Sequence, residues 1–319
     1  MAAALIASQL AGLGATVYRA EGSDPFDAVY PAHRFWRRAA RRVSEVELAA
    51  LEASADLCII GGEHHPDLAR AADAERLIAL HPEMIVLDLG AAAGRRQVEL
   101  FAQARSGICF EQFSDRPFAW AYRPATYGLV FQGLTGVLVA LLDRLDTGRG
   151  QIVRSSLDHG VCLTTRPDRV LVEQPDDRSR ARIPRDVRSL IFRCADGHHI
   201  QFTMQRPGAL ARVYRALGID RPVDSQAAGH KQFLAPPRNF FGDHDLFAPY
   251  VAKFTREEVL NAFWANGVAA DAVLDPGECW DDPQTRIGGI LVRGEGVEGI
   301  GVPIRVTCRT KIPVDPGGN

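Results

Sequence analysis

Two groups of polar residues in this sequence are of the types that carry catalysis or ligand binding. The first, His64 and His65, follows the apolar run Leu57–Ile60, whose length and composition predict a buried strand. Because ligands of α/β proteins bind beyond the carboxyl ends of parallel strands, both histidines are candidate binding residues. Adjacent residues of an extended chain point to opposite sides, so we do not expect the pair to share a metal ion.

The second group combines the residue types of a serine hydrolase in one short segment, with Ser155, Ser156, Asp158 and His159. Residues this close in sequence rarely form a catalytic triad. The Gly-x-Ser-x-Gly turn of the α/β hydrolases is also absent from the sequence. We therefore do not predict nucleophilic serine catalysis.

The glycines Gly12 and Gly14 resemble the start of a dinucleotide-binding loop. Apolar residues at helical spacing precede them over residues 3–13, and the run Ala15–Tyr18 after them is typical of a strand. A dinucleotide fingerprint requires the strand first and the helix second. The reversed order excludes a nucleotide loop here.

The elements that must position these residues alternate between strands and helices. Short apolar runs at Leu57–Ile60 and Met84–Leu89 predict strands, and Asp67–Leu80 between them predicts a helix. A long amphipathic helix is expected over Tyr127–Leu145, followed by a strand over Gln151–Ser155. This alternation predicts an α/β fold with a doubly wound, mostly parallel sheet.

The second half of the chain has a different pattern. Residues 164–186 are rich in Arg, Asp and Pro, which is typical of a linker, and Asp196-Gly197 between two apolar runs predicts a hairpin. We expect a large α/β domain, a linker, a small α+β domain, and C-terminal strands with a tail that return toward the large domain. Their predicted bounds are 1–163, 164–188, 189–290 and 291–319.

Composition excludes several classes of partner. With 37 basic and 39 acidic residues, the net charge of -2 favours neither nucleic acid nor a membrane surface. The six cysteines are scattered, with no spacing that predicts disulfides or a metal site. The apolar N-terminal stretch is too short for a membrane span and has no basic segment before it. These features predict a cytoplasmic protein.

Four segments, taken in order, resemble family III of the CoA-transferases, which includes formyl-CoA transferase, carnitine CoA-transferase and α-methylacyl-CoA racemase. LAGLGATVYRAEGSDPF is similar to the family's L-A-D-L-G-A-x-V-I-K-V-E-x-x-x-x-D-P. GVLVALLDRLDTGRGQIVRSSLDHGV is similar to G-I-L-A-A-L-x-x-R-x-x-T-G-x-G-Q-x-V-D-V-S-L-x-D. The other two segments are FRCADGHHIQFT and NGVAADAVLDPGECWDDPQTRIGGI. The family pattern extends beyond the sequence at both ends.

The resemblance implies a doubly wound domain, a small α+β domain, and two chains interlocked like linked rings. The partner is then a second copy or a homologous chain, the substrate is a small molecule, and coenzyme A is a substrate or ligand rather than a bound cofactor. In the family, an Asp before the long helix attacks the thioester and carries the acyl group as a mixed anhydride. The racemases use that Asp together with a His.

The aligned position of the family's Asp falls on Thr126, counted back from TGRGQ without a gap. Residues Ala121–Val130 contain no acid, and Gly94–Gly107 contains Glu99 but no histidine. A threonine hydroxyl cannot form an acyl anhydride and is a poor nucleophile without an adjacent base. The resemblance therefore indicates that the usual catalytic acid is replaced.

Other residues are expected near coenzyme A by the same resemblance. Gly61 and Gly62 replace the family's Glu-Asn-Phe loop, whereas Arg19 and Arg70 lie near the positions where the family binds the nucleotide phosphates.

A run of arginines at a spacing of three and four also predicts a basic helical stripe, formed by Arg34, Arg37, Arg38, Arg41 and Arg42.

Three functions stay open at this point. In the first hypothesis, the chain is a CoA-transferase-like enzyme that acts on an acyl-CoA or related carboxylate with a rebuilt site near Thr126. Alternatively, it is a non-catalytic subunit that pairs with an intact homologue. As a third hypothesis, it is a small-molecule enzyme that no longer uses coenzyme A.

Overall fold

The computed structural model describes residues 1–20, 30–61, 74–90, 97–110, 116–164, 191–204, 208–222, 244–294, 297–302 and 304. The chain divides into two compact units. The first unit comprises Met1–Gln112, Arg116–Pro167 and Gln284–Asn319. The second comprises Phe113–Asp115 and Asp168–Pro283.

The first unit is built on parallel strands. Strands β1 (Val17–Ala20) and β2 (Ala40–Val43) form a two-stranded parallel sheet. A second parallel sheet has the order β3–β4–β5, formed by Leu57–Ile60, Ile85–Asp88 and Ile152–Arg154. The predicted mixed α/β class with parallel strands is confirmed.

Helices alternate with these strands along the chain. They are α1 (Ala2–Gly12), α2 (Pro31–Arg37), α3 (Glu45–Glu52), α4 (Ala74–Leu80), α5 (Glu99–Ser106), α6 (Pro124–Thr147) and α7 (Leu157–Thr164). A short 3-10 turn, Ile108–Phe110, follows α5.

Both faces of the central strand β4 are buried, and successive side chains enter different apolar clusters. Val86 packs with Leu77 of α4, whereas Leu87 packs with Ile6 of α1 and Leu129 of α6. This alternation is the period of two expected for a strand that is covered on both faces. The sheet therefore has α4 on one side and α1 with α6 on the other.

Helix α6 is the longest described helix, and glycines allow its close packing. A Cβ added to Gly128 would lie 1.9 Å from the backbone oxygen of Gly160 in α7, so neither position has room for a side chain at this contact. Of the described helices, α6 alone has the length and apolar composition to cross a bilayer. Its buried face packs on β4, β5 and α7, as expected for a core helix.

The second unit has an antiparallel sheet with strand order β6–β7–β8, formed by Ile191–Arg193, His199–Thr203 and Ala269–Val273. Its helices are α8 (Ala209–Leu217), α9 (His244–Val251), α10 (Arg256–Ala265) and α11 (Glu278–Asp281). Phe192 and Phe202 stack at 4.9 Å between ring centroids, and Phe247 and Phe263 complete the aromatic core.

Helix α12 (Pro283–Ile287) is followed by the hairpin β9 (Leu291–Gly294) and β10 (Val297–Ile300). This hairpin belongs to the first unit and packs on α2. Gly299 lies against the ring of Phe35, where a Cβ would approach a ring carbon to 2.6 Å.

The prediction of one basic helical stripe is wrong. Helix α2 ends at Arg37, and Arg41 and Arg42 lie in β2. The reason is strand pairing, because β2 aligns with β1 so that Arg42 is the partner of Arg19. The arginines therefore divide between a helix and a strand.

Candidate functional site

The loop that leads into α6 is fixed by a glutamine of α5. The amide oxygen of Gln103 accepts a hydrogen bond from the backbone N–H of Trp120 at 2.7 Å, and its Nε2 donates to the carbonyl of Trp120 at 3.1 Å. The Gln103 side chain is fully buried. Because both groups of one amide bond the same residue, the loop is held at a defined distance from α5.

The first turn of α6 is capped by a residue from α5. Its own N-cap residue, Arg123, makes no side-chain cap, and Pro124 at the first helical position has no N–H to satisfy. The carboxylate of Glu99 accepts from the backbone N–H groups of Ala125 at 3.0 Å and Thr126 at 2.7 Å. A carboxylate here also complements the positive end of the helix dipole.

Every lone pair of the Glu99 carboxylate has a donor. Oε1 accepts from Ala125 and from Nε2 of Gln103 at 2.9 Å, and Oε2 accepts from the Thr126 N–H and from the Thr126 hydroxyl at 2.7 Å. Thr126 is 5% exposed. Thr126, which we expected from the sequence resemblance at the position of the catalytic acid, is thus buried and hydrogen-bonded to a carboxylate that itself acts as a helix cap.

A cavity of about 210 Å³ opens beside the same helix start. Its walls include Tyr30, Trp36, Tyr122 and Tyr127, and Arg123 supplies the charge. Neither Glu99 nor Thr126 is among its lining residues. The cavity and the capped turn are therefore neighbours that share the start of α6, not one site.

The residues of the hydrolase-like group are engaged elsewhere. Asp158 accepts two hydrogen bonds from Arg105, each 2.9 Å, and the Ser155 hydroxyl donates to Gln132 at 3.1 Å. The His159 backbone N–H donates to Ser156 Oγ. No Ser–His–Asp relay forms among these side chains.

The residues expected near coenzyme A are only partly described. Arg19 is half-buried in β1, beside Arg42, and Gly61 lies at the end of β3, against Ala3 of α1. The remaining candidates, Gly62, His64, His65 and Arg70, lie outside the described residues. Within the described part of the chain, no group of three potential metal ligands occurs.

Comparison with known proteins decides the family. The profile of CoA-transferase family III matches residues 70–313. The chain belongs to CoA-transferase family III. The resemblance found in the sequence is confirmed, over a match that includes β4, α6 and the whole second unit.

Solved structures share the fold of this family III chain. A CaiB/BaiF family protein from Brucella suis has a TM-score of 0.75 and 19% identity, covering 96% of this chain and 89% of that chain. A hypothetical protein from Mycobacterium tuberculosis has a TM-score of 0.72 and 18% identity, with the same coverage. No curated protein sequence matches the chain. At these identities the structures establish the fold alone.

Sequence reasoning missed the part played by Glu99 and Arg123. Glu99 is 27 positions before Thr126, so no local capping pattern connects them. Arg123 has φ of 62°, the left-handed conformation, and it precedes a proline, a position that normally favours extended backbone. The available signal was an acidic residue, Glu99, in the segment that forms α5, together with a helix, α6, that has no capping side chain of its own.

Proposed function

We propose that this family III chain acts on an acyl-CoA or a related carboxylate without forming the aspartyl anhydride of its family. The observation that carries the proposal is the hydrogen bond of 2.7 Å between the hydroxyl of Thr126 and Glu99. It supports the view that the start of α6 holds a helix cap where relatives place a nucleophile.

Glu99 is a poor replacement for that nucleophile. To attack a thioester, a carboxylate oxygen must aim a lone pair at the carbonyl carbon. Each oxygen of Glu99 already accepts two hydrogen bonds. Moving the carboxylate would leave the N–H groups of Ala125 and Thr126 without acceptors. The Thr126 hydroxyl has an adjacent base, Glu99, as a nucleophilic hydroxyl requires. However, Thr126 is buried and does not line the cavity. These facts favour non-covalent handling of the substrate.

The outer face of α6 supports a dimer as part of this proposal. Large apolar side chains recur on one face at a helical period, and each is exposed: Tyr127, Phe131, Leu138, Leu142 and Leu145. Their exposed fractions include 64% for Phe131, 66% for Leu142 and 81% for Leu145. An apolar stripe of this length indicates a protein–protein interface.

A second candidate function follows from that stripe. The partner is either another copy of this chain or a homologue that carries the acid, and in the latter case this chain is the non-catalytic subunit. Sedimentation of the purified chain tests the first assembly, with Leu142→Glu as the variant that places a charge in the stripe. A dimer that the variant dissociates supports the homodimer. A monomeric chain that dimerises only with an acid-bearing homologue supports the subunit.

Binding of coenzyme A tests the proposed activity. Arg42 is exposed and pairs in register with Arg19 across the β1–β2 sheet, so two arginines share the region where phosphates are expected by family resemblance. Titration calorimetry of the full chain with coenzyme A and acetyl-CoA is expected to show saturable binding, weakened by Arg42→Gln. The exposed Arg149 gives the control, Arg149→Gln. Absence of binding to both compounds would instead favour an enzyme that no longer uses coenzyme A.

A further inference from the structure

The cavity beside the start of α6 contains Arg123, whose charge is not neutralised by a carboxylate of any residue that the structure describes. The Arg123 guanidinium donates through Nη2 to the Tyr30 hydroxyl at 2.8 Å and through Nη1 to the sulfur of Met1 at 3.3 Å. Its Cζ lies 5.0 Å from the centroid of the Tyr30 ring. Among the described residues, none places a carboxylate within ion-pair distance of it. Both partners of Arg123 are neutral.

An arginine in this setting favours an anion that enters the cavity. The guanidinium has five N–H donors, and the contacts to Tyr30 and Met1 use only part of them. A carboxylate can accept two parallel hydrogen bonds from the rest. The aromatic walls exclude part of the water, so the attraction between the charges is stronger here than on an open surface.

The walls select a flat molecule. Four aromatic rings line the cavity, those of Tyr30, Trp36, Tyr122 and Tyr127, and Tyr122 is 52% exposed. Aromatic rings bind other planar groups by offset or edge-to-face stacking. Trp120 contacts Tyr122 edge-on with ring centroids 5.1 Å apart, and this contact supports the Tyr122 ring from one side.

The volume limits the size of that molecule. An apolar cavity of about 150 Å³ holds benzene, so about 210 Å³ has room for one ring and a carboxylate. It is smaller than the roughly 300–1,000 Å³ of sites for drug-sized ligands. The cavity does not enclose a whole nucleotide.

We propose that this cavity binds a small aromatic carboxylate of about the size of benzoate, with its carboxylate on Arg123 and its ring between the tyrosines. Recognition of the free acid follows from the cavity alone. That the acid is the acyl group exchanged on coenzyme A rests on the proposed function.

Calorimetric titration of the full chain with sodium benzoate tests the site. We expect saturable binding that Arg123→Gln weakens by about tenfold or more, whereas Arg149→Gln, at an exposed arginine beyond the other end of α6, leaves it unchanged. Arg123→Lys keeps the charge and is expected to retain part of the affinity. Circular dichroism of each variant shows that the fold is intact, and Tyr122→Ala gives a second test at an exposed residue.

Two neutral or non-planar analogues complete the design. Benzamide lacks the charge and cyclohexanecarboxylate lacks the flat ring, so both are expected to bind more weakly than benzoate. Lack of benzoate binding, or equal binding by wild type and Arg123→Gln, would overturn the site. Equal affinity for cyclohexanecarboxylate would overturn the aromatic selectivity.

Failure of this inference is distinct from failure of the proposed function. Benzoate binding without any binding of coenzyme A or acetyl-CoA keeps the site and rejects thioester chemistry. Acetyl-CoA binding without benzoate binding keeps the proposed function and rejects the site.

Discussion

Replacing Glu99 with alanine tests whether this carboxylate is the cap of helix α6. Glu99→Ala removes the acceptor of the N–H groups of Ala125 and Thr126 and of the buried Thr126 hydroxyl. Loss of a helix cap costs roughly 0.5–2 kcal/mol, and a hydrogen bond to a charged group contributes about 1.5–3 kcal/mol. Because water reaches part of the site, we expect a total of about 2–3 kcal/mol rather than the full sum.

Urea unfolding of the full chain, followed by far-UV circular dichroism, measures this loss. For a slope of about 2 kcal/mol/M, the expected destabilisation lowers the midpoint for the first unit by roughly 1 M. Glu99→Gln keeps one carbonyl acceptor, so its midpoint is expected to lie between those of wild type and Glu99→Ala.

Glu47 provides the matched control. It also accepts hydrogen bonds at a helix start, from the N–H and the hydroxyl of Ser44, both at 2.8 Å, but it is exposed. Water replaces an exposed acceptor readily, so Glu47→Ala is expected to shift the midpoint much less. Equal shifts for Glu99→Ala and Glu47→Ala would refute the assignment of Glu99 as a half-buried structural cap.

Three further predictions concern other contacts. Gly160→Ala is expected to lower the stability of the first unit by about 2 kcal/mol or more, measured by urea unfolding, because a Cβ there would lie 2.2 Å from the backbone oxygen of Ala125; an unchanged midpoint would contradict the close packing. Thr126→Asp is expected to destabilise the chain because it places a second carboxylate against Glu99, and adding Glu99→Gln is expected to recover part of that loss in thermal unfolding, since it removes one of the two charges; no recovery would contradict it. In the second unit, hydrogen bonds from Arg256 lower the pKa of Glu278 from 4.5 to about 2. Its contribution to stability is therefore present above about pH 4.5 and lost as the pH falls toward 2, and Glu278→Gln should remove that part of the acid dependence in urea unfolding; the same acid dependence in both proteins would count against it.

Much of the secondary structure in both units follows from local patterns. Strand β3 has the predicted bounds Leu57–Ile60, and the hairpin at Asp196-Gly197 forms as expected, with Gly197 at a φ of 84°. The predicted helix over Tyr127–Leu145 is confirmed but begins three residues earlier, at Pro124. Proline at the first helical position is a start signal that the apolar period alone does not show.

The rest depended on contacts between distant residues. The basic stripe failed because pairing with β1 turns Arg41 and Arg42 into strand residues, which helical spacing within one segment cannot indicate. Likewise, the cap from Glu99 and the contact between Arg123 and Tyr30 connect residues far apart in sequence. The sequence indicated that the replaced acid lies near the start of α6, and the fold determines which side chains meet there.

The most direct test of the central claim is the mass of the intact chain after incubation with acetyl-CoA and a rapid acid quench. The account predicts the unmodified mass, with and without hydroxylamine, because the start of α6 presents a capped turn and no attacking carboxylate. An added acetyl group that hydroxylamine removes, mapped to Thr126 or Glu99, would show covalent acyl transfer and contradict the account.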